Sequence, residues 1–166
     1  MNKIIVIASL LIAAPGLAAP TTNASEFVKM AGAGDLFEKT SSEMVLKDAK
    51  TQKVRDFANM MITDHAKSTA DVKAAAKSDG VMAGPPKLTP AQQKMIAELK
   101  AAKPADREMV YIHQQVAAHH QALELQQTFA QSGDKPALKQ AAAGIAPVVK
   151  QHLTELQGMP GTMAGM

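Results

Sequence analysis

The spacing of apolar residues in four long segments constrains the fold more than any other feature of the chain. In each segment they recur at alternating intervals of three and four positions, which is the spacing of one buried face of an α-helix. β-branched residues never alternate with polar ones over a useful length, so no strand is predicted. The sequence therefore predicts an all-α four-helix bundle. Its helices are expected over Ser25 to about Lys50, Thr51–Ser78, Pro104–Gln131 and Pro136 to about Gln157.

Capping and helix-breaking residues divide these segments into two helical hairpins. Ser25 is expected to cap the first helix, and tight turns near Thr51 and Gly133 are expected to close the hairpins. A short extra helix, capped by Thr89, is predicted within the connection over residues 80–103. Because this connection is long enough to cross the bundle, the four helices need not follow a simple up-and-down order.

The first residues are typical of a secretory signal peptide. Lys3 precedes an apolar run over residues 4–14, and small residues follow a Pro-Gly break, so cleavage is predicted after Ala18 or Ala24. The run is shorter than the roughly 20 residues that a membrane-spanning helix needs. We therefore expect a periplasmic or secreted protein, which could be associated with the envelope. The predicted division is a signal peptide over 1–24, a helical domain over 25–157 and a disordered Met- and Gly-containing tail over 158–166.

Composition excludes several classes of function. The chain has no Cys, which excludes disulfides, thiolate metal sites and thiol catalysis. Its net charge of +3 combines 18 basic with 15 acidic residues, and one Tyr and no Trp leave no surface for stacking bases, so no nucleic-acid partner is expected. We find no nucleophile motif and no phosphate-binding Gly loop. The sequence therefore predicts no catalytic or cofactor-binding residue and favours a protein that is not an enzyme.

Each of the four apolar stripes carries an ionisable residue near its middle, and the stripe of the first helix includes Asp35 as well as Glu38. Glu38 and His65 lie 13 and 14 residues on either side of Thr51, so an antiparallel hairpin would place them at nearly the same level. His119 precedes Gly133 by 14 residues and His152 follows it by 19, which leaves them within about one helical turn. We therefore predict that three imidazoles and a carboxylate converge inside the bundle.

Two interpretations of this cluster stay open. Imidazole and carboxylate ligands suit a transition metal such as Zn, Cu or Fe, with His65, His119, His152 and Glu38 as ligands. Outer or peripheral roles in that site would fall to Asp64, His120 and Glu124. Alternatively, the residues form a hydrogen-bonded polar layer that fixes the register of the helices. No Glu-x-x-His occurs in the chain, so a standard di-iron site is not expected.

Several short segments resemble an exported bacterial family that is catalogued as domain of unknown function 4142. They are Val54-Arg55-Asp56-Phe57-Ala58, Ile62-Thr63-Asp64-His65, Gln115-Val116-Ala117-Ala118-His119, Pro136-Ala137-Leu138-Lys139, and Pro147 five residues before His152-Leu153. The resemblance covers roughly residues 26–157. It implies a ferritin-like four-helix fold with His at positions 65, 119 and 152, and it implies no established reaction.

The chain departs from the family pattern at two places. On the first helix the family has Glu-x-Glu-Leu-Gly, where this chain has Glu38-Lys39-Thr40-Ser41-Ser42. On the third long helix an Asp-His pair of the family is Ala118-His119 here. Both departures remove carboxylates, so they disfavour a carboxylate-rich metal site.

Three functions are consistent with this pattern. The first is a periplasmic protein that binds a transition metal in its core and acts in envelope or metal stress. The second is a non-catalytic envelope module, whose partner is an envelope protein or a second copy in a homodimer and whose core histidines are structural. The third, a metallo-oxidase, ranks last because the carboxylates that such chemistry uses are missing.

Overall fold

The computed structural model describes residues 20–159, and within that range it contains five α-helices and no strand. The predicted all-α ferritin-like bundle with a short extra helix in the connection between its hairpins is confirmed. The predicted cleavage position at Ala18 and residues 160–166 of the predicted tail lie outside the described residues. The helices are α1 (Ala24–Val45), α2 (Gln52–Ser78), α3 (Pro90–Ala101), α4 (Pro104–Ser132) and α5 (Pro136–Gln157).

The order of the helices follows from which ends meet. α1 and α2 form one antiparallel hairpin, α4 and α5 form the other, and α1 packs on α4 while α2 packs on α5. Phe27 near the start of α1 stacks on Phe129 near the end of α4, with ring centroids 4.0 Å apart. Asp79 at the end of α2 lies at the start of α5. The four long helices therefore run up, down, down and up, and the connection from α2 to α4 crosses the length of the bundle.

The crossing connection and α3 cover the groove between α1 and α4. Leu99 of α3 is fully buried, and Nε2 of Gln114 in α4 donates to the carbonyl of Met95 at 2.9 Å. A Cβ atom added to Gly32 of α1 would lie 3.3 Å from Cβ of Pro86. A glycine that weakens α1 as an isolated helix thus leaves room for the connection to pack against it.

Carboxylates of one hairpin cap helices of the other. Asp134 accepts the backbone N–H of Ala24 at 2.9 Å, and Glu108 accepts that of Thr51 at 3.0 Å. Asp79 accepts the backbone N–H of Leu138 at 2.8 Å. Each contact satisfies an N–H at a helix start that has no partner within its own helix, and each places negative charge at the positive end of the helix dipole. The two hairpins therefore depend on each other for their helix ends.

α1 differs from its predicted boundaries at both ends. It is capped by Asn23, whose side chain accepts the N–H of Glu26 at 3.1 Å, rather than by Ser25. It ends at Val45 instead of near Lys50, because the backbone N–H groups of Lys50 and Thr51 bond to Glu108 and not to a continuing helix. The other three long helices begin and end within one residue of the prediction.

The core consists of two apolar clusters, one at each end of the bundle. The first contains Phe27 and Phe129, and the second contains Phe57, Tyr111 and Met159. On α1, α2 and α5 the predicted stripes are buried almost completely. The stripe predicted for α4 begins at Met109 and continues through Ile112 to His119, and α4 is rotated from it, because Met109 is 52% exposed while Tyr111 is fully buried. Contacts of α4 with α3, on a side that the stripe did not include, explain this difference.

Candidate metal centre

A polar layer lies between the two apolar clusters at mid-height of the bundle. It contains His65 of α2, His119 of α4 and His152 of α5, each at most 5% exposed. One ring nitrogen of each histidine lies within 4.8 Å of the other two, and the ring centroids are 5.3–5.7 Å apart. The structure thus brings together the three histidines that the stripes single out.

Helix register explains why these rings meet. His119 lies 13 residues before the end of α4, and His152 lies 16 residues after the start of α5. The turn between the two helices takes up two of the five residues of difference counted from Gly133, and the remaining three residues amount to less than one helical turn. On each of the three helices, residues of one apolar cluster precede the histidine and residues of the other follow it. The layer is therefore closed above and below by apolar packing.

Asp35 of α1 holds the His65 ring. Nδ1 of His65 donates to Oδ1 of Asp35 at 2.8 Å, and Oγ1 of Thr69 donates to Oδ2 of the same carboxylate at 2.9 Å. Since a carboxylate accepts and Nδ1 carries the proton, Nε2 of a neutral His65 has a lone pair. This atom is buried and has no hydrogen-bond partner.

His119 and His152 present nitrogens to each other. Nδ1 of His119 donates to the backbone carbonyl of Gln115 at 2.9 Å, which leaves a lone pair on Nε2, and Nε2 lies 3.3 Å from Nδ1 of His152. Nε2 of His152 lies 3.0 Å from Oδ2 of Asp64 and donates to it. A neutral His152 that donates to Asp64 then has a lone pair on Nδ1 as well. The two inner nitrogens therefore face each other without a proton between them.

The electrostatic surroundings keep this pair of rings neutral. Burial, together with the neighbouring His65 and His152, lowers the pKa of His119 to about 3. Burial also lowers the pKa of His152, against the effect of its hydrogen bond to Asp64. For His65, burial acts to lower the pKa, but the hydrogen bond to Asp35 and the charges of Glu38 and Asp35 outweigh it, so the pKa is raised.

Glu38, the fourth predicted ligand, lies in the same layer at a different edge of His119. Its Oε1 is 3.6 Å from Nδ1, the ring nitrogen that donates to Gln115, and it is not part of the group of three close ligand atoms. Its Oε2 is buried without a hydrogen-bond partner. Burial raises the pKa of Glu38 to about 7, against the charge of His65 and a hydrogen bond from Gln115.

The predicted outer residues separate into two groups. Asp64 contacts His152 directly, and its side chain is 35% exposed. His120 and Glu124 are exposed on the outer side of α4, away from the polar layer. The structure therefore gives only Asp64 a contact with the three histidines.

Sequence reasoning missed two residues that surround the rings. Asp35 lies on the predicted stripe of α1, one turn before Glu38, and a second carboxylate on an apolar stripe was the signal that could have found it. Phe57 packs its ring 6.3 Å from that of His119 and 6.4 Å from that of His152. It closes the layer on the side of the second apolar cluster.

The residues present fit a transition-metal ion. Three imidazoles are a common ligand set for Zn²⁺ and Cu²⁺. Carboxylates and a carbonyl hold the outer nitrogens of the rings, which is the usual support of metal-bound histidine. Nε2 of His65 is buried and has no partner, and the inner nitrogens of His119 and His152 face each other. These three nitrogens lack a positive group, which a metal ion would supply.

Comparisons with known proteins agree with this fold. A crystal structure of a DUF305 fragment from Deinococcus radiodurans matches with a TM-score of 0.70 at 15% identity, over 85% of this chain and 97% of that chain. A comparison with curated proteins gives no match. Among the described residues, no helix has the length and apolar character needed to cross a membrane.

A sequence profile assigns the chain to a family. The profile described as domain of unknown function DUF4142 matches residues 12–159, which include the whole bundle and all three core histidines. The resemblance noted in the short segments around His65, His119 and His152 therefore extends along most of the chain. The protein belongs to the DUF4142 family.

Proposed function

We propose that this protein binds one transition-metal ion in the core of its bundle and stores or senses that metal in the periplasm. The ligands would be Nε2 of His65, Nε2 of His119 and Nδ1 of His152. The observation that supports this assignment is the hydrogen-bond pattern, which leaves a lone pair on each of these nitrogens. When bound, the ion would supply the positive charge that this layer lacks.

The remaining residues of the layer would act on the rings. Asp35 and Asp64 fix the orientation and protonation of His65 and His152. The carbonyl of Gln115 does the same for His119. Glu38 would join the ligand set only by moving from the outer edge of His119 to the inner nitrogens. The layer is buried and closed by Phe57, so we propose storage or sensing under metal or envelope stress rather than catalysis.

Export is part of the proposal. Of the two predicted cleavage positions, the one after Ala18 keeps Asn23 and its cap on α1, whereas the one after Ala24 removes both. Ala24 itself is buried and bonds to Asp134. We therefore expect cleavage after Ala18, and the mass of the mature protein isolated from the periplasm tests this expectation.

The second candidate function is an envelope interaction module with a structural histidine layer. The hydrogen bonds of His65 and His152 to Asp35 and Asp64 favour it, since both rings are held in place without a metal. In that case His152 would be protonated and would bridge Asp64 and His119. Its pKa, which burial lowers, speaks against this arrangement.

Elemental analysis distinguishes the two candidates. The mature protein should be purified without a His tag from its native compartment and melted with and without chelator. The metal proposal expects near-stoichiometric metal and a lower melting temperature in chelator. His65→Ala should abolish metal uptake while the protein stays helical, and His120→Ala, a change on the exposed face of α4, should leave uptake unchanged.

The opposite result would support the structural layer. It consists of no metal in the native protein, no effect of chelator, and a melting temperature that His65→Ala lowers equally with and without added metal.

A further inference from the structure

Each imidazole of the polar layer faces a carboxylate. The distances are 2.8 Å from Nδ1 of His65 to Asp35 and 3.0 Å from Nε2 of His152 to Asp64, while Glu38 lies 3.6 Å from Nδ1 of His119. Within the described part of the chain, these carboxylates contact the histidines and form no ion pair with a Lys or Arg. No Lys or Arg therefore neutralises the carboxylates that surround the three rings.

Two carboxylates, Asp35 and Asp64, bond to a histidine ring, and water screens the charge of Asp35 less than that of Asp64. The side chain of Asp35 is 7% exposed, against 35% for Asp64. Hydrogen bonds from His65 and Thr69 occupy both of its oxygens, so the carboxylate is fixed in place. Glu38 is more buried still, but it makes no hydrogen bond to a ring and has one oxygen without a partner.

The charge of an ion determines how strongly this arrangement attracts it. The Coulomb attraction between a fixed carboxylate and a dication is twice that for a monocation at the same position. The donor set points in the same direction, because monovalent copper and its analogues prefer sulfur ligands and the group of three histidines offers nitrogen only.

We propose that the three-histidine site selects divalent over monovalent transition ions, and that Asp35 is the positioning residue that sets this preference. The inference rests on the proposed function and specifies its substrate class as Zn²⁺ or Cu²⁺ rather than Cu⁺. Asp35 would act through its charge as well as through the orientation of the His65 ring.

Calorimetric titration of the purified, metal-free protein with Zn²⁺ and with Ag⁺, each as the metal alone, tests this preference. The change Asp35→Asn keeps the shape of the side chain and removes its charge. If Ag⁺ binding weakens about 10-fold, Zn²⁺ binding should weaken about 100-fold, so that the ratio of the two affinities falls about 10-fold.

Two controls separate the charge of Asp35 from its role in orienting His65. Thr69→Val removes a hydrogen bond to Asp35 but keeps the charge, so the ratio should stay constant even where both affinities fall. Asp71→Asn removes a partly exposed carboxylate that pairs with Lys67, and it should change neither affinity. Circular dichroism and melting establish that each variant is folded.

The possible failures are distinguishable. Uptake of neither ion by the native protein would overturn the proposed function and this inference together. Uptake of both ions with equal weakening in Asp35→Asn, or tighter binding of Ag⁺ than of Zn²⁺ in the native protein, would overturn the inference alone. Where Asp35→Asn does not fold, Asp64→Asn replaces it, with a smaller fall in the ratio expected because Asp64 is more exposed, and an unchanged ratio there overturns the inference.

Discussion

Nε2 of His119 lies 3.3 Å from Nδ1 of His152 across the contact between α4 and α5. Hydrogen bonds to Gln115 and Asp64 place the protons of both rings on their outer nitrogens. Two lone pairs that face each other in a buried layer repel unless a cation lies near them. This pair of rings is therefore where a bound metal should affect stability most.

The first prediction concerns metal and stability. Free Zn²⁺ at 100 times its dissociation constant should stabilise the native protein by about 2.7 kcal/mol, a rise in melting temperature of about 5–10 °C. His119→Leu should lose this rise. In the absence of metal it should be at least as stable as the native protein, because an apolar side chain replaces one of the facing nitrogens. Thermal melts with and without Zn²⁺ measure both effects, and a metal-free variant much less stable than the native protein would contradict the prediction.

The second prediction concerns the cap that Glu108 places on α2. Burial acts to raise the pKa of Glu108, but hydrogen bonds from Thr51 and Lys50 and the charge of Arg55 outweigh it, so the pKa is lowered. A carboxylate whose pKa is lower in the folded state adds stability above its unfolded pKa, and that stability is lost as the pH falls through the folded pKa. Because solvent screens this carboxylate, Glu108→Gln should cost only about 0.5 kcal/mol at pH 7.

The pH dependence provides the check on this cap. The unfolding free energies of the two proteins in urea should converge at acidic pH, as the pH falls through the lowered pKa of Glu108 and the carboxylate becomes protonated. Glu124→Gln, which changes an exposed carboxylate on the same helix, should behave as the native protein throughout. A difference that stays constant down to low pH would show that the charge of Glu108 is not what stabilises α2.

The third prediction uses two glycines with opposite surroundings. A Cβ atom at Gly133 would lie 2.6 Å from the ring of Phe129, which stacks on Phe27, so Gly133→Ala should destabilise the protein by about 1–3 kcal/mol. Gly144 lies inside α5 with open space around its Cα, and Gly144→Ala should stabilise by about 0.5–1 kcal/mol. Denaturant unfolding measures both, and changes of the same sign would contradict the packing described for the α4–α5 turn.

The fourth prediction concerns the only tyrosine of the chain. Tyr111 is fully buried and bonds to Ser42 at 2.8 Å, and burial raises its pKa well above the usual value near 10. Because the folded state favours the neutral phenol of Tyr111, this group adds stability that is fully present below about pH 10 and is lost as the pH rises further. Tyrosinate absorbance should therefore appear together with the loss of helicity. Ionisation of Tyr111 in a fully helical protein would contradict this prediction.

The three core histidines could be found from sequence because each lies on the buried stripe of its own helix. Counting residues from the two hairpin turns was enough to place them at similar heights. Helix periodicity and short turns were enough to infer that His65, His119 and His152 lie close together. Neither depends on side-chain conformation, which is why the prediction of a converging layer agrees with the structure.

The contacts of the carboxylates could not be predicted in the same way. Asp35 and Glu38 share one face of α1, and which of them reaches His65 depends on the rotation of α1 against α2 and on rotamers. The prediction of the buried face of α4 was wrong at Met109 for a related reason. α3 packs on a side of α4 that the stripe did not include, and the sequence of α4 alone does not indicate this contact.

The division of the site between the hairpins has a thermodynamic consequence. The first hairpin supplies His65, and the second supplies His119 and His152, so neither has the full set of ligand atoms. Ion affinity and hairpin docking are therefore linked: docking raises the affinity for the ion by the same factor by which a bound ion raises the affinity of one hairpin for the other. A chain cut within the crossing connection would become a two-piece receptor, in which the concentration of free metal sets how much of the protein is assembled.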